Sequence, residues 1–344
     1  MGSLSQREED VLESLIQAYI STAEPVGSRF ISKRYLPGMS PATIRNTMMD
    51  LEEMGYLYQP HTSAGREPTD KGYRYYVDSL MKREEPSQLE KRMIEEELRS
   101  NLEAKGAEDI LEQVAKVIAQ ISHQIGIALS PRFEEGILYK LELVPLEEKR
   151  LLVVLTIKSG LVKTIVIKVE SKLSRKKIAE TSKLLNERLS GLSIREIRRS
   201  IQERLEYPLR GDLKLLKVFV DEADSLFQFD SPADLHLDGV TNIILQPEFT
   251  DRDKLTGLIE LLDERDTIIC LLNQRTKERD VAVTIGSENI PWQMKACSVV
   301  TSNYEIGGVW GSIGMIGPTR MRYSKYVPLI DYTAKLVSNL LSSC

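Results

Sequence analysis

The chain has 344 residues, 42% of them hydrophobic and 28% charged, and its 46 Lys and Arg against 51 Asp and Glu give a net charge of −5. This length exceeds one ordinary hydrophobic core, so two or three domains are expected, and no apolar run is long enough to span a bilayer. The negative net charge weakly disfavours a nucleic-acid partner. Screening limits charge effects to about 8 Å at physiological salt, so the local distribution of charge matters more than the total for nucleic-acid binding.

The first 55 residues predict three helices. Ser5-x-x-Glu8 is a capping box that starts the first helix. Ser28–Tyr35 predicts a short second helix, which Leu36-Pro37-Gly38 ends. The third helix begins at Ser40-Pro41, an N-cap followed by a first-turn proline, and stops at Gly55, which is suited to a left-handed C-terminal cap.

A turn-rich polar segment, Gln59–Arg66, follows the third helix and lies between Tyr56-Leu57-Tyr58 and Pro68. This pattern predicts a β-hairpin beside the helices. Helices joined by a tight turn and followed by a hairpin form a winged helix-turn-helix, which places one helix in the DNA major groove. The alternative interpretation is an ordinary helical hairpin with a solvated outer face.

The third predicted helix has two different faces. Ile44, Met48 and Leu51 form an apolar stripe that should pack inward. The opposite side carries residues suited to reading bases and thymine methyl groups: Ala42, Arg45, Asn46 and Met49, with Thr43 at the N-terminal edge. Ser40 and the free N–H groups of the first turn suit a phosphate.

Basic residues are concentrated in the same region. Between positions 28 and 49 there is no acidic residue, and there are four basic ones, Arg29, Lys33, Arg34 and Arg45. We expect Lys33 to contact phosphate. The predicted wing adds His61, Thr62, Ser63 and Arg66, and Arg66 is the candidate for the minor groove or a phosphate. A plain hairpin with a solubilising arginine is the alternative.

The rest of the chain alternates helical and strand-like segments. Thr69 caps a further helix, and the charged stretch 82–87 predicts a domain boundary. Two helices divided near Gly106 follow. Predicted strands then cover 138–144, 151–157, 162–169, 267–272, 281–285, 296–303 and 309–316, and predicted helices cover 174–189, 193–205, 251–262 and 327–341.

Few residues indicate catalysis or a cofactor. The three histidines lack metal-ligand spacing. Cys270, Cys297 and Cys344 follow no pattern and predict reduced core cysteines of a cytoplasmic protein. Gly311-x-x-Gly314-x-x-Gly317 before Arg320 fits a bent strand better than a phosphate loop. We therefore expect no enzyme activity, no cofactor and no metal.

The chain resembles the heat-inducible transcription repressor HrcA family, and the resemblance spans its length. The matching motifs lie at both ends: Pro25-Val26-Gly27-Ser28, Ser40-Pro41-Ala42-Thr43-Ile44-Arg45-Asn46, Met49-x-Leu51-Glu52-x-x-Gly55-Tyr56-Leu57, His61-Thr62-Ser63-Ala64-Gly65-Arg66, Pro68-Thr69-x-x-Gly72-Tyr73-Arg74, Ile285-Gly286-x-Glu288-Asn289, Cys297-Ser298-Val299-Val300 and Gly314-x-Ile316-Gly317-Pro318-Thr319-Arg320-Met321.

The resemblance implies an α+β multidomain fold. It has a winged helix-turn-helix at 1–85 and a linker helix at 86–106. A GAF-like mixed α/β domain with an antiparallel sheet is built from 107–184 and 265–344, and an α+β dimerisation domain is inserted at 185–264. It also implies a homodimer that binds an inverted-repeat, double-stranded DNA operator of chaperone operons, with a GroEL-type chaperonin modulating its activity.

The sequence leaves two other functions open. One is a metabolite-sensing transcription regulator with a small ligand in the GAF-like pocket. The other is an enzyme that uses the glycine-rich C-terminal segment, with the N-terminal domain serving as an interaction module.

Overall fold

A computed structural model of the chain describes residues 4–105, 107–131, 133–146, 149–158, 160, 162–169, 174–206, 210–227, 235–273 and 281–342. It is a mixed α and β chain whose sheets are antiparallel. No helix in the described part of the chain is long and apolar enough to cross a membrane. The described residues fall into two compact units, and each is presented separately below.

The first unit begins with three helices, α1 (Gln6–Thr22), α2 (Ser28–Arg34) and α3 (Pro41–Glu53). The predicted capping box starts α1: the Ser5 hydroxyl accepts from the Glu8 N–H, and the Glu8 carboxylate accepts from the Ser5 N–H at 2.6 Å. All three predicted helices are confirmed. Their buried apolar side chains form one core beneath the exposed surface of α3: Val11, Leu12, Leu15, Ile16, Ile31, Ile44, Met48 and Leu51.

A two-stranded hairpin and another helix complete this N-terminal part. Strand β1 (Leu57–Tyr58) pairs antiparallel with β2 (Glu67–Pro68), as the turn-rich sequence between them predicts. Helix α4 (Asp70–Tyr75) is capped by Thr69 and continues as one wider π turn, Tyr76–Leu80. We call residues 5–80 the N-terminal head.

The rest of the first unit is built on a five-stranded sheet with the order β7-β3-β10-β9-β8. Helices α5 (Gln88–Lys105) and α6 (Ala107–Ser122) precede β3 (Ile125–Leu129), and α6 packs on β3 and β7. The other strands of the sheet are β7 (Leu235–Asp238), β8 (Ala282–Ile285), β9 (Cys297–Ile306) and β10 (Val309–Pro318). Helix α14 (Tyr323–Ser342) ends the described chain.

In the described residues between 130 and 234, the second unit forms a three-stranded antiparallel sheet and four α-helices. Its strands are β4 (Leu138–Pro145), β5 (Arg150–Ile157) and β6 (Val162–Lys168), in that order. Its helices are α7 (Arg175–Leu189), α8 (Ile194–Leu205), α9 (Leu213–Asp221) and α10 (Ala223–Phe227). Alternate residues of the strands share one apolar core with these helices.

Between β7 and β8, the described residues form the α-helices α11 (Val240–Ile244), α12 (Arg252–Asp263) and α13 (Arg265–Asn273). The prediction of a strand at Thr267–Leu272 was wrong, because α13 occupies that segment. Ile268 and Leu272 are buried while Cys270 between them is exposed, which is helical spacing. A short apolar run cannot be assigned to helix or strand by its composition alone.

The compact units divide the chain differently from the domain limits that the resemblance implies. The first unit takes the described residues within 1–129, 235–303 and 312–336, and the second takes those within 130–234, 304–311 and 337–344. Strands β4–β6 therefore lie with α7–α10 rather than with the larger sheet, because their apolar faces are buried against those helices.

Candidate nucleic-acid interface

Helix α3 has the start that its sequence predicts. The Ser40 hydroxyl accepts a hydrogen bond from the Thr43 N–H at 3.1 Å and lies 2.9 Å from the Thr43 hydroxyl, and Pro41 occupies the first turn. The inward stripe of the helix is as predicted: Ile44 and Leu51 are fully buried, and Met48 is 4% exposed. This packing fixes which side of α3 faces solvent.

The opposite side of α3 is open to solvent. Ala42, Arg45, Asn46 and Met49 are exposed, and Thr43 at the edge is half-buried. Met49 is 47% exposed, so its apolar side chain is accessible to a partner on this side of the helix. The structure thus places the predicted base-reading residues on one accessible helical face, which we call the reading face (Ala42, Thr43, Arg45, Asn46 and Met49).

Helix α2 and the turn after it border α3. Lys33 is exposed, as are Arg29 and Arg34 on the same short helix. The Ser32 hydroxyl donates to the Met39 carbonyl at 2.8 Å and holds the turn between α2 and α3. Basic side chains at this border are available to contact phosphates.

The loop between β1 and β2 presents three of its predicted residues to solvent. His61, Thr62 and Ser63 are exposed at its tip. The Gln59 side-chain amide donates to the carbonyl oxygens of Thr62 at 3.0 Å and Ala64 at 2.9 Å, so it holds the loop from inside. This hairpin is therefore ordered by its own hydrogen bonds.

Arg66 lies at the base of the hairpin and not at its tip. Its backbone N–H and carbonyl each bond Val26 at 2.9 Å. Its guanidinium pairs with Glu52 of α3 at 2.8 Å, and its side chain is only 17% exposed. The sequence pattern predicts Arg66 as a DNA contact and gives no sign of Glu52, because the pairing depends on how the hairpin folds back onto α3. In this structure Arg66 ties the hairpin to α3.

A second carboxylate supports the hairpin. Glu67 of β2 accepts hydrogen bonds from the hydroxyl groups of Tyr19 at 3.1 Å and Tyr58 at 2.5 Å. Burial, together with the bond to Glu67, raises the pKa of both tyrosines, so both hydroxyls stay protonated and donate at neutral pH. No sequence motif marks this cluster, because its members come from α1, β1 and β2.

The glycine-rich C-terminal segment and the cysteines have structural positions. Gly311, Gly314 and Gly317 lie within strand β10, as the bent-strand interpretation predicts. Cys297 is buried on β9, where burial raises the pKa of its thiol to about 12. Cys270 is exposed on α13, so its prediction as a core residue was wrong, and Cys344 lies outside the described residues.

Arg320, the cation of the same segment, is engaged within the first unit. Its guanidinium pairs with Glu248 and donates to the Gln246 side chain at 2.9 Å and to the Ile20 carbonyl of α1 at 3.3 Å. Its side chain is 14% exposed. Arg320 therefore links this segment to α1. Its guanidinium is engaged by these contacts and is not directed towards an anion.

Comparisons with known proteins extend over the whole chain. The sequence family described as "HrcA protein C terminal domain" matches residues 108–327. The chain is 42% identical over 349 residues to the heat-inducible transcription repressor HrcA of Chlorobium phaeobacteroides (strain BS1), covering 98% of this chain and 99% of the relative. It is 40% identical over 342 residues to the protein of that name from Geobacter sulfurreducens (strain ATCC 51573 / DSM 12127 / PCA), covering 99% of each.

A solved structure, described as that of a hypothetical protein at 2.2 Å resolution, has a similar fold, with a TM-score of 0.59, 22% identity and 99% of each chain covered. That likeness concerns the fold alone. The sequence matches identify the relationship, since they reach 40% identity or more over nearly full lengths. The chain belongs to the family of heat-inducible transcription repressors HrcA.

Proposed function

We propose that the protein represses transcription of heat-shock chaperone operons by binding an inverted-repeat DNA operator as a homodimer. The observation that carries this proposal is the reading face of α3, whose polar and apolar residues are exposed while the opposite stripe is buried. The order of three helices and a hairpin supports a winged helix-turn-helix as the DNA-binding domain, within residues 1–85. The relatives from Chlorobium and Geobacter are both named as heat-inducible transcription repressors.

Each candidate residue takes a role that follows from its position. Arg45 and Asn46 read base edges in the major groove, and Ala42, Met49 and the Thr43 methyl contact thymine methyl groups. Ser40 and the first-turn N–H groups of α3 approach a phosphate, and Lys33 contacts another. His61, Thr62 and Ser63 lie at the tip of the wing and contact the neighbouring backbone or minor groove. Arg66 maintains the angle between wing and α3.

We assign dimerisation to the part of the second compact unit within residues 130–234, which is inserted between β3 and β7 in the sequence. One face of its three-stranded sheet covers the apolar core, while the other has partly exposed apolar residues: Val144, Leu152, Val154, Val162 and Val166. Val144 pairs with Leu152 and Leu152 with Val166, which makes an apolar row across all three strands. A two-fold operator requires a two-fold protein, and this face suits a second copy.

The five-stranded sheet of the first unit is the proposed GAF-like domain, and it joins the head to the dimerisation domain. We propose that a GroEL-type chaperonin acts on this part of the protein. Several large apolar side chains are exposed in its described residues, among them Leu245 at 84%, Ile290 at 75% and Trp292 at 62%. Exposed apolar surface is what mediates many protein interactions. A repressor works where the chromosome is, so the proposed location is the cytoplasm.

Binding to DNA is tested with the purified full-length protein at physiological salt. A pool of random duplexes is selected for binding, and the selected sequence is compared with a scrambled duplex by fluorescence anisotropy. We expect an inverted repeat to be selected and to bind about a thousandfold more tightly than the scrambled control. Equal weak binding of both duplexes, with and without chaperonin, would contradict the proposed function.

A further inference from the structure

Two residues on α4 join the N-terminal head to the turn after β8. The Asp70 carboxylate accepts hydrogen bonds from the Ser287 N–H at 2.8 Å and the Ser287 hydroxyl at 2.7 Å. The Arg74 guanidinium donates to one oxygen of Glu288 at 2.8 Å, to its other oxygen, and to the Val283 carbonyl at 2.7 Å. We call the four residues Asp70, Arg74, Ser287 and Glu288 the α4 clasp.

The clasp is charged and partly shielded from water. Side-chain exposure is 30% for Arg74 and 33% for Glu288. Burial alone raises the pKa of Glu288, but hydrogen bonds from Arg74 and the Ile285 N–H outweigh it and leave that pKa below its ordinary value. The bond to Glu288 raises the pKa of Arg74. Both partners are therefore ionised at neutral pH, and a two-point arginine–carboxylate pair fixes direction as well as distance.

The turn at residues 286–288 is shaped for this close approach. Gly286 has φ +50°, and a Cβ atom at that position would lie 2.3 Å from the Asp70 carboxylate. The Asn289 side-chain amide donates to the Gly286 carbonyl at 3.0 Å and to the Cys297 carbonyl at 3.1 Å, which holds the turn against β9. The sequence motif Ile285-Gly286-x-Glu288-Asn289 therefore has a structural purpose: it presents Ser287 and Glu288 to the head.

Side chains next to the clasp residues on α4 form hydrogen bonds with the end of α3 within the head. The Lys71 ammonium donates to the Met54 carbonyl at 2.6 Å, and the Thr69 hydroxyl donates to the Gly55 carbonyl at 2.7 Å. Both acceptors lie just after the last turn of α3. Together with the contact of Arg320 to α1, the clasp therefore restricts the direction of α3 relative to the five-stranded sheet. It does not cover the reading face, because Arg45 and Asn46 remain exposed.

We infer that the α4 clasp sets the spacing between operator half-sites that the dimer accepts, so that Arg74 and Glu288 are positioning residues for DNA recognition. This inference rests on the proposed function. Two half-sites of an inverted repeat are read together only when both recognition helices have fixed positions about one helical turn of DNA apart, or a multiple of it. A head that is held loosely can reach half-sites at several spacings. Binding of the second half-site at the selected spacing then adds less affinity, because the head must be ordered at that moment.

The test compares the full-length protein with Arg74→Ala, Glu288→Ala and the double variant. Each binds three duplexes: the selected inverted repeat, the same repeat lengthened by about 5 base pairs in the spacer, which is half a helical turn, and a single half-site. We expect the wild type to lose about tenfold or more in affinity on the lengthened repeat. The variants should bind the half-site like wild type but prefer the selected spacing less, with the double variant no worse than either single one.

Asp78→Ala is the matched control. It removes the other partner of Arg74, at 3.1 Å on the same helix, and leaves the contacts to Glu288 and Val283 in place. Its spacing preference should match wild type. Unchanged spacing preference in Arg74→Ala and Glu288→Ala would overturn the inference, as would a matching loss on the single half-site. If the wild type does not distinguish the selected inverted repeat from a scrambled duplex, with or without chaperonin, the proposed function itself fails.

Discussion

Replacing Arg45 with alanine tests the reading face most selectively, because the side chain is exposed and lies opposite the buried stripe of α3. Removing an exposed helical arginine should change the free energy of unfolding by no more than about 0.5 kcal/mol. Any larger change in DNA affinity then reports on recognition and not on folding.

The magnitude follows from the geometry of a two-fold complex. A bidentate arginine–base contact is worth about 1–3 kcal/mol, and the proposed dimer would make one in each half-site. The loss on the inverted repeat is therefore about 2–6 kcal/mol, and even the lower figure is about 30-fold in affinity at 1.4 kcal/mol per tenfold. The loss on a scrambled duplex should be much smaller, because base readout contributes little there.

The assay is fluorescence anisotropy on the selected repeat and on variants with one base pair changed in each half-site. Arg45→Ala should bind one such variant as well as it binds the selected sequence, which identifies the base pair that Arg45 reads. Lys33→Ala is the matched control: it should weaken all duplexes about equally. Because each subunit of the dimer would lose one phosphate contact, the slope of log affinity against log salt should fall by about 2. If Arg45→Ala behaves like Lys33→Ala, the assignment of Arg45 as a base reader is wrong.

Three further predictions concern the rest of the molecule. Gly65→Ala should lower the free energy of unfolding by about 1–3 kcal/mol, because the new Cβ would lie 2.4 Å from neighbouring backbone. Denaturant titration measures this change. Gly38→Ala is the control and should have little effect, because a Cβ at that position meets nothing within 4 Å. Val166→Lys should give a folded monomer by analytical ultracentrifugation, and an unchanged dimer would move the interface elsewhere. Hydrogen bonds from Lys325 and, to a lesser degree, from Ser87 lower the pKa of Glu90 from 4.5 to about 2, so their stabilisation is complete above pH 4.5 and lost as pH falls towards 2. The melting temperatures of wild type and Glu90→Gln should converge over that range, and a constant difference would refute the pairing.

Local features of the head were predictable from the sequence. The caps at Ser5 and Ser40, the left-handed Gly55 and the two faces of α3 depend on neighbouring residues and on helical period, which the sequence displays directly. The exposed residues of the reading face follow from the same period. Their role as DNA contacts stays a prediction.

Contacts between distant segments could not be predicted in the same way. The pairing of Arg66 with Glu52 depends on the path of a hairpin, and the α4 clasp joins residues more than 200 positions apart in the sequence. The helix at Arg265–Asn273 was missed for a related reason, since its apolar run is too short for its period to distinguish helix from strand. The packing of β4–β6 with α7–α10 likewise appears only in the folded core.

The central claim is that α3 of each subunit reads bases in the major groove of an inverted repeat. Methylation protection of guanine N7 on the selected duplex, with wild type and Arg45→Ala, tests it most directly, because N7 lies in the major groove. We expect protection arranged symmetrically in the two half-sites, with one protected guanine per half-site lost in Arg45→Ala. Unsymmetrical protection, or the same protection pattern for both proteins, would contradict the claim.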